Sequence, residues 1–236
     1  MKIGIISDIH CDVTALETAL KELRGVDQVI CAGDLNLQYR FSNEISELMQ
    51  RYRIPVVRGN HDTAILSSAG LMLRNSGQIK PDNLTHLRQM PLMLEWPIDG
   101  KRVMMMHTSP LDPTGGEHGG RAGVFLPGEG DRLAPVSDGA DAMVAGGGTD
   151  DNSSAAGRLA KIPNHLLPEA KADVLIVGHT HRTMVTRVDG QLIVNPGSLG
   201  QPRDPKRSTL RTYAILDTST WEATIHGFEQ ARDTWG

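Results

Sequence analysis

The sequence predicts an α/β fold in which two β-sheets pack face to face with helices on the outside. Three observations carry that prediction. The first third of the chain alternates short apolar runs with helical patterns, as parallel βαβ units do. Later runs are joined by tight Asp-Gly turns, as antiparallel hairpins are. The 236 residues suit one domain with a single large core.

Each element has its own signal. Residues 3–7, "IGIIS", read as a short buried strand. Asp12 then caps a helix that puts Leu16, Ala19, Leu20 and Leu23 on one face and ends at Gly25. "QVICAGD", from Gln28, is a second strand ending in Gly and a carboxylate, and a helix from about Asn43 to Tyr52 follows with Ile45, Leu48 and Met49 inward. "IPVVRGNHD" reads as a third strand with the same kind of ending. Past Pro81 a short helix (Leu84, Leu87, Met90) leads to "LMLEWP" and "KRVMMMH", two strands around an Asp99-Gly100 turn. "DVLIVGHTH" is another buried strand with a polar exit, and "TMVTRVDGQLIVNPGS" is a hairpin around Asp189-Gly190. "TYAILD" and "WEATIHGFE" are the last strands.

One stretch breaks the rhythm. Asp112 to Lys161 holds 12 of the 25 glycines and shows no apolar period, so residues 1–236 read as one domain with a Gly-rich insertion at about 112–161. The insertion is expected to be a solvated excursion, a lid over a site or an arm onto a second subunit. Its eight acidic and four basic residues carry the whole formal charge of −4. The remainder is neutral and offers no electrostatic grip on a nucleic-acid backbone. No apolar run spans a membrane, and Lys2 with only four largely apolar residues behind it is no secretory leader. A cytoplasmic address is expected. Cys11 and Cys31 make neither a disulfide framework nor a metal knuckle, and read as bystanders.

The chemistry gathers at the strand ends: Asp8 and His10, Asp34, Asn60 with His61, His107, and His179 with His181. In an extended segment residues two apart share a side, so Asp8 is expected to point with His10, and His179 with His181. A single histidine at such a place is more often a hydrogen-bonded structural residue. Five strand exits with the same grammar point instead to a shared centre, while His86, His118, His165 and His226 lie elsewhere. Oxygen and nitrogen donors without thiolate suit five- or six-coordinate catalytic ions: Mn²⁺, Fe²⁺, Co²⁺, Ni²⁺ or Zn²⁺. Asp8, His10, Asp34, Asn60, His107, His179 and His181 are too many for one ion. If Asp34 bridges, they divide into two sets of four, which suits two cations about 3.5–4 Å apart. Such a pair outweighs its two aspartates in charge and attracts anions. A bridging hydroxide and a phosphate ester would complete it, with His61 free to give a hydrogen bond or proton to the leaving oxygen.

These residues, "SDIH", "GD", "GNHD", the His after "VMMM", and "GHTH", resemble the motif set of the calcineurin-like metallophosphoesterases. The likeness runs through nearly the whole chain. It is closest to the small bacterial and archaeal phosphodiesterases often labelled diadenosine-tetraphosphatase-like, whose signatures "VVRGNHD" and "NPGSLGQPRD" also resemble. The resemblance implies a four-layer αββα sandwich with the metal site at strand C-terminal ends. It implies a first metal on Asp8, His10, Asp34 and His181, a second on Asp34, Asn60, His107 and His179, and His61 as the catalytic histidine. Mn²⁺ stands first among the expected ions. Cys11 and Thr108 stand where the family usually has Gly. "GDLNLQY" lacks the second Asp and the Arg of the protein phosphatases' "GDxVDRG", so that activity is not expected. Arg58, Arg182 and Arg203 flank motifs and could clamp a phosphate bidentately, or simply face solvent.

The leading expectation is a dinuclear hydrolase of small phosphodiesters. The alternatives are a phosphomonoesterase or dinucleoside polyphosphate pyrophosphohydrolase, and an exonuclease, which the neutral core disfavours. A non-catalytic scaffold like a retromer subunit of this fold is disfavoured by the intact donors and His61. The expected partner is a small phosphoester, with neither membrane nor nucleic acid, and a homo-oligomer is left open.

Overall fold

The computed structural model describes residues 1–108, 172–203 and 207–231, and within the Gly-rich segment the strands Gly123–Phe125 and Ala134–Pro135. The first sheet contains β1 (Lys2–Ile6), β2 (Gln28–Cys31), β10 (Leu210–Asp217) and β11 (Glu222–Glu229), in the order β11-β10-β1-β2. The second contains β3 (Met93–Ile98), β4 (Lys101–Met106), β5 (Gly123–Phe125), β6 (Ala134–Pro135), β7 (Val174–Ile176), β8 (Thr183–Val188) and β9 (Gln191–Pro196), in the order β6-β5-β3-β4-β7-β9-β8. Both are mixed. β1 lies parallel to β2 but antiparallel to β10, with Lys2 opposite Asp217; β4, β7 and β9 run parallel.

Burial explains why the strands read as continuous apolar runs. Ile3 and Ile5 of β1 point between the sheets, where they meet Val103, Met105, Val174, Ile176 and Val194. Ile6 points the other way, into a cluster formed by α1 (Val13–Glu22), α2 (Asn43–Arg51) and α5 (Pro81–Gln89) through Leu16, Ala19, Ile45, Met49 and Leu87. The second sheet repeats the pattern, with Met104, Met106, Leu175 and Ile193 clustered on its far face. The helix layer expected over that face lies outside the described residues. Capping follows the sequence: Asp12 accepts the Ala15 N–H at 2.9 Å, Ser42 accepts the Ile45 N–H at 3.3 Å, and Pro81 opens α5. Among the described residues no helix is long and apolar enough to cross a membrane.

One expectation needs correction. The third strand is a single parallel bridge, Cys31 with Val56, because Pro55 has no N–H to extend the ladder and the chain turns into α3 (Asn60–Leu66). A further short helix, α4 (Leu71–Asn75), follows. Within the Gly-rich segment β5 pairs with β3 and β6 with β5, widening the second sheet. The rest of the proposed insertion lies outside the described residues. Both Asp-Gly turns are as expected, with positive φ at Asp99, Gly100, Asp189 and Gly190.

Candidate metal centre

The carboxyl ends of β1, β2, β4 and β7 lie side by side, and the residues that leave them converge. They do not do so as extended strand tails. Asp8, His10, Asp34, His179 and His181 take left-handed φ values between 49° and 68°, a conformation that costs a side-chain-bearing residue about 1–2 kcal/mol. Backbone hydrogen bonds hold the first loop in this shape. The N–H groups of Asp8, Ile9 and Cys11 donate to the carbonyls of Gly33, Asp34 and Leu35 at 2.9–3.0 Å. Close approach sets the neighbours: a Cβ on Gly59 would fall 2.0 Å from Asp34 Oδ1, and one on Gly178 would fall 2.1 Å from Ser7 Oγ.

All seven expected ligands reach one centre. Asp8 Oδ2 accepts from Ser7 Oγ at 2.7 Å and from the His179 N–H at 3.0 Å. Asp34 Oδ1 accepts the His61 N–H at 2.9 Å. Each carboxylate thereby spends one oxygen on the fold. The other oxygens, Asp8 Oδ1 and Asp34 Oδ2, are buried without a hydrogen-bond partner. Around them stand His181 Nε2, 3.2 Å from Asp8 Oδ1, and His107 Nε2, 3.2 Å from Asp34 Oδ2. His10 Nε2 lies 3.6 Å from Asp8 Oδ1 and 3.9 Å from Asp34 Oδ2. Asn60 Oδ1 lies 3.1 Å from His107 Nε2 and 2.9 Å from His179 Nδ1.

The imidazole tautomers follow from the partners. The Nδ1 atoms of His10, His107 and His181 face the carbonyl oxygens of Asn36, Ala32 and Gln201 at 3.2, 2.7 and 2.6 Å. A carbonyl only accepts, so each Nδ1 carries a proton and each Nε2 is the atom turned to the centre, where its lone pair would serve a cation that displaces any second proton. His10 Nε2 and His181 Nε2 are 3.0 Å apart, close enough that one cation would accept a lone pair from each. Electrostatics agrees. Burial works against charge on His107, yet Asp34 and Asp8 overcome it and push its pKa up to about 10. His10 is raised in the same way, Asp8 and Asp34 prevailing over its burial. Asp8 is held well below the usual carboxylate range despite complete burial, His107, His10 and His181 outweighing that cost. The two carboxylates thus draw positive charge to this point. Three groups of donor atoms lie within 4.8 Å of one another: Asp8, His10 and His181; Asp8, Asp34 and His107; and His10, Asp34 and His61. These residues fit divalent cations.

A family model described as the calcineurin-like phosphoesterase superfamily domain matches residues 1–221. The chain belongs to that superfamily. An uncharacterized protein of Methanocaldococcus jannaschii is 27% identical over 256 residues, covering 94% of this chain and 85% of its own length. A solved metallophosphoesterase from Sphaerobacter thermophilus, 24% identical, superposes with a TM-score of 0.63 over 98% of this chain and 90% of the other. A structure described as a novel archaeal phosphodiesterase, 19% identical, gives 0.53 over 97% and 100%. These two share the fold of paired mixed sheets flanked by helices.

In this phosphoesterase the remaining site residues divide by what they touch. His61 shares the last donor group but differs in tautomer: its Nδ1 accepts the Gln38 N–H at 3.0 Å, so the proton sits on Nε2. Burial holds its pKa below the ordinary imidazole value, leaving a neutral donor at the edge of the centre. His179 is exposed and Asn60 and His61 are half-buried, so the centre opens on their side. Sequence reasoning assigned no role to Asp62, Asn36 or Ser198. Asp62 is fully buried and accepts the N–H groups of Leu35, Asn36 and Gly59 at 3.1–3.2 Å and Asn36 Nδ2 at 3.0 Å, while the Asn36 carbonyl orients His10. Ser198 Oγ donates to the Asp8 carbonyl at 2.8 Å. The one available signal was their place inside or beside a motif. Cys11 and Cys31 are buried thiols, and Thr108 is buried without a positive φ. Arg58 is half-buried near Asp62, whereas Arg182 and Arg203 are exposed beside His181.

Proposed function

We propose that this chain hydrolyses small phosphodiesters with two divalent cations, Mn²⁺ first among them. Asp8, His10, Asp34 and His181 would hold one, and Asp34, Asn60, His107 and His179 the other. One observation carries the reading: two buried carboxylate oxygens without partners face imidazoles whose Nδ1 protons are already given to carbonyls. When bound, divalent cations supply Lewis acidity toward phosphoryl oxygens and lower the pKa of water.

The chain's own groups do the rest. Asp8 and Asp34 offset two of the four positive charges of a cation pair. A hydroxide nucleophile and a diester monoanion balance the other two, whereas a monoester dianion exceeds the balance by one, which supports a diester as substrate. His61 holds its proton on Nε2, fixed there by the Gln38 N–H, and gives a hydrogen bond or the proton to the leaving oxygen. The missing Asp and Arg in "GDLNLQY" count against protein phosphatase activity.

The test compares bis(p-nitrophenyl) phosphate with p-nitrophenyl phosphate after metal removal by chelator and reloading with Mn²⁺. Chelation is expected to stop turnover, Mn²⁺ to restore it, and the diester to be preferred. Asp34→Ala is expected to abolish activity and lower the bound metal count, and His61→Ala to cut kcat by about 10²–10⁴-fold with metal retained. Wild-type turnover in Asp34→Ala would sink the assignment.

A further inference from the structure

We infer that the cleft flanking His181 is an anion subsite that takes a second phosphate on the substrate. The inference rests on the phosphodiesterase reading and concerns what the ester carries besides its scissile bond. The cleft has a volume of about 240 Å³ and is walled by His181, Arg182, Thr183, Arg203, Thr212 and Ile225, with no carboxylate among its described walls. This is below the ~300–1,000 Å³ of a pocket for a whole ligand, so the space suits one group of a larger molecule.

Two arginines meet here because the backbone ties them to a residue of the metal centre. Arg182 follows His181 directly. Arg203 comes from another segment and donates its N–H to the His181 carbonyl at 3.2 Å, while the Gln201 carbonyl takes the His181 Nδ1 proton at 2.6 Å. The imidazole that presents Nε2 to Asp8 on one flank therefore forms part of the cleft on the other. Neither guanidinium has a hydrogen bond or ion pair among the described residues. Positive charge in a concavity, here without a counter-charge among the described residues, concentrates anions, and the planar guanidinium fork matches phosphate oxygens bidentately. The larger cleft, about 430 Å³, lacks this logic. Its Lys21, Arg24 and Arg51 sit at the carboxyl ends of α1 and α2, whose partial negative charge they complement, and Glu17 and Asp27 share its walls.

The test uses matched esters: thymidine 5′-(p-nitrophenyl phosphate) and the same compound carrying a 3′-phosphate. The Mn²⁺-loaded wild type is expected to favour the 3′-phosphorylated ester in kcat/KM. That ratio should fall about tenfold or more in Arg182→Ala/Arg203→Ala and survive in part in the paired lysine variant. Calorimetric titration gives a readout independent of turnover: affinity for thymidine 3′,5′-bisphosphate relative to thymidine 5′-monophosphate should fall by a similar factor. Ratios that the alanine variant leaves unchanged in both assays overturn the subsite. A wild type that cleaves neither ester, yet loses the binding ratio on arginine removal, sinks the phosphodiesterase reading and leaves the subsite standing.

Discussion

At Cys11 the backbone takes φ +64° beneath a side chain, a place that glycine fills without steric cost. The energetic consequence is testable by comparing Cys11→Gly with Cys11→Ala, both of which remove the thiol. Elsewhere alanine is the more stable of such a pair. Here glycine should win by about 1 kcal/mol in denaturant unfolding, and a win for alanine would contradict the left-handed assignment. Asp62 makes a second residue-scale case. Burial, with the Asp34 charge beside it, pushes its pKa up to about 6, yet the carboxylate still gathers four N–H donors. Asp62→Ala leaves those donors stranded and should cost about 3 kcal/mol or more. It should also lower turnover, because the Asn36 carbonyl that sets the His10 tautomer loses its support. The convergence of these donors was legible because carboxylate, amide and imidazole recur at the ends of several apolar runs. Asp62 was not: its spelling is the same whether it meets a cation or a ring of amides.

At the scale of elements, the strands, caps and hairpin turns were readable because their signals are local. Asp12 before an amphipathic run and Asp-Gly between two apolar runs need no distant partner. The conformation of the loops that carry the donors was not readable. Asp8 and His10 converge through left-handed backbone held by the carbonyls of Gly33, Asp34 and Leu35, and the sign of a φ angle fixed by a neighbouring loop leaves no trace in alternation. The third strand failed for a related reason: "IPVV" has strand composition, but one bridge is all that Pro55 and the turn into α3 allow. Loop packing also makes a prediction. Gly59→Ala should drive its methyl against Asp34 Oδ1, destabilise the protein by about 1–3 kcal/mol and lower the metal content measured by elemental analysis. A Gly59→Ala protein with full metal occupancy would show that the loop has room to yield.

Across the whole molecule, the two ends of the chain are fastened at the site. Arg211 of β10 is completely buried, and its NH2 group donates to Asp12 Oδ2 at 3.1 Å while NH1 donates to the Gly200 carbonyl at 2.6 Å. Asp12 in turn caps α1 directly after the first loop. No pattern in the sequence pairs residues 199 positions apart, which is why this tie was illegible. Breaking a buried pair strands its partner's charge, so Arg211→Met should lose about 3–5 kcal/mol of stability. Asp12→Asn should lose less, because the amide still accepts from the Ala15 N–H; equal losses would argue against the ion pair. The pairing of β1 with β10 reaches further, into biosynthesis. A ribosome releases β1, with Asp8 and His10, long before it makes the strand that closes its flank. Until Leu210 to Asp217 emerge, the nascent chain presents a bare β1 edge to chaperones, so the first loop, with Asp8 and His10, lacks one flank of its support through most of its synthesis.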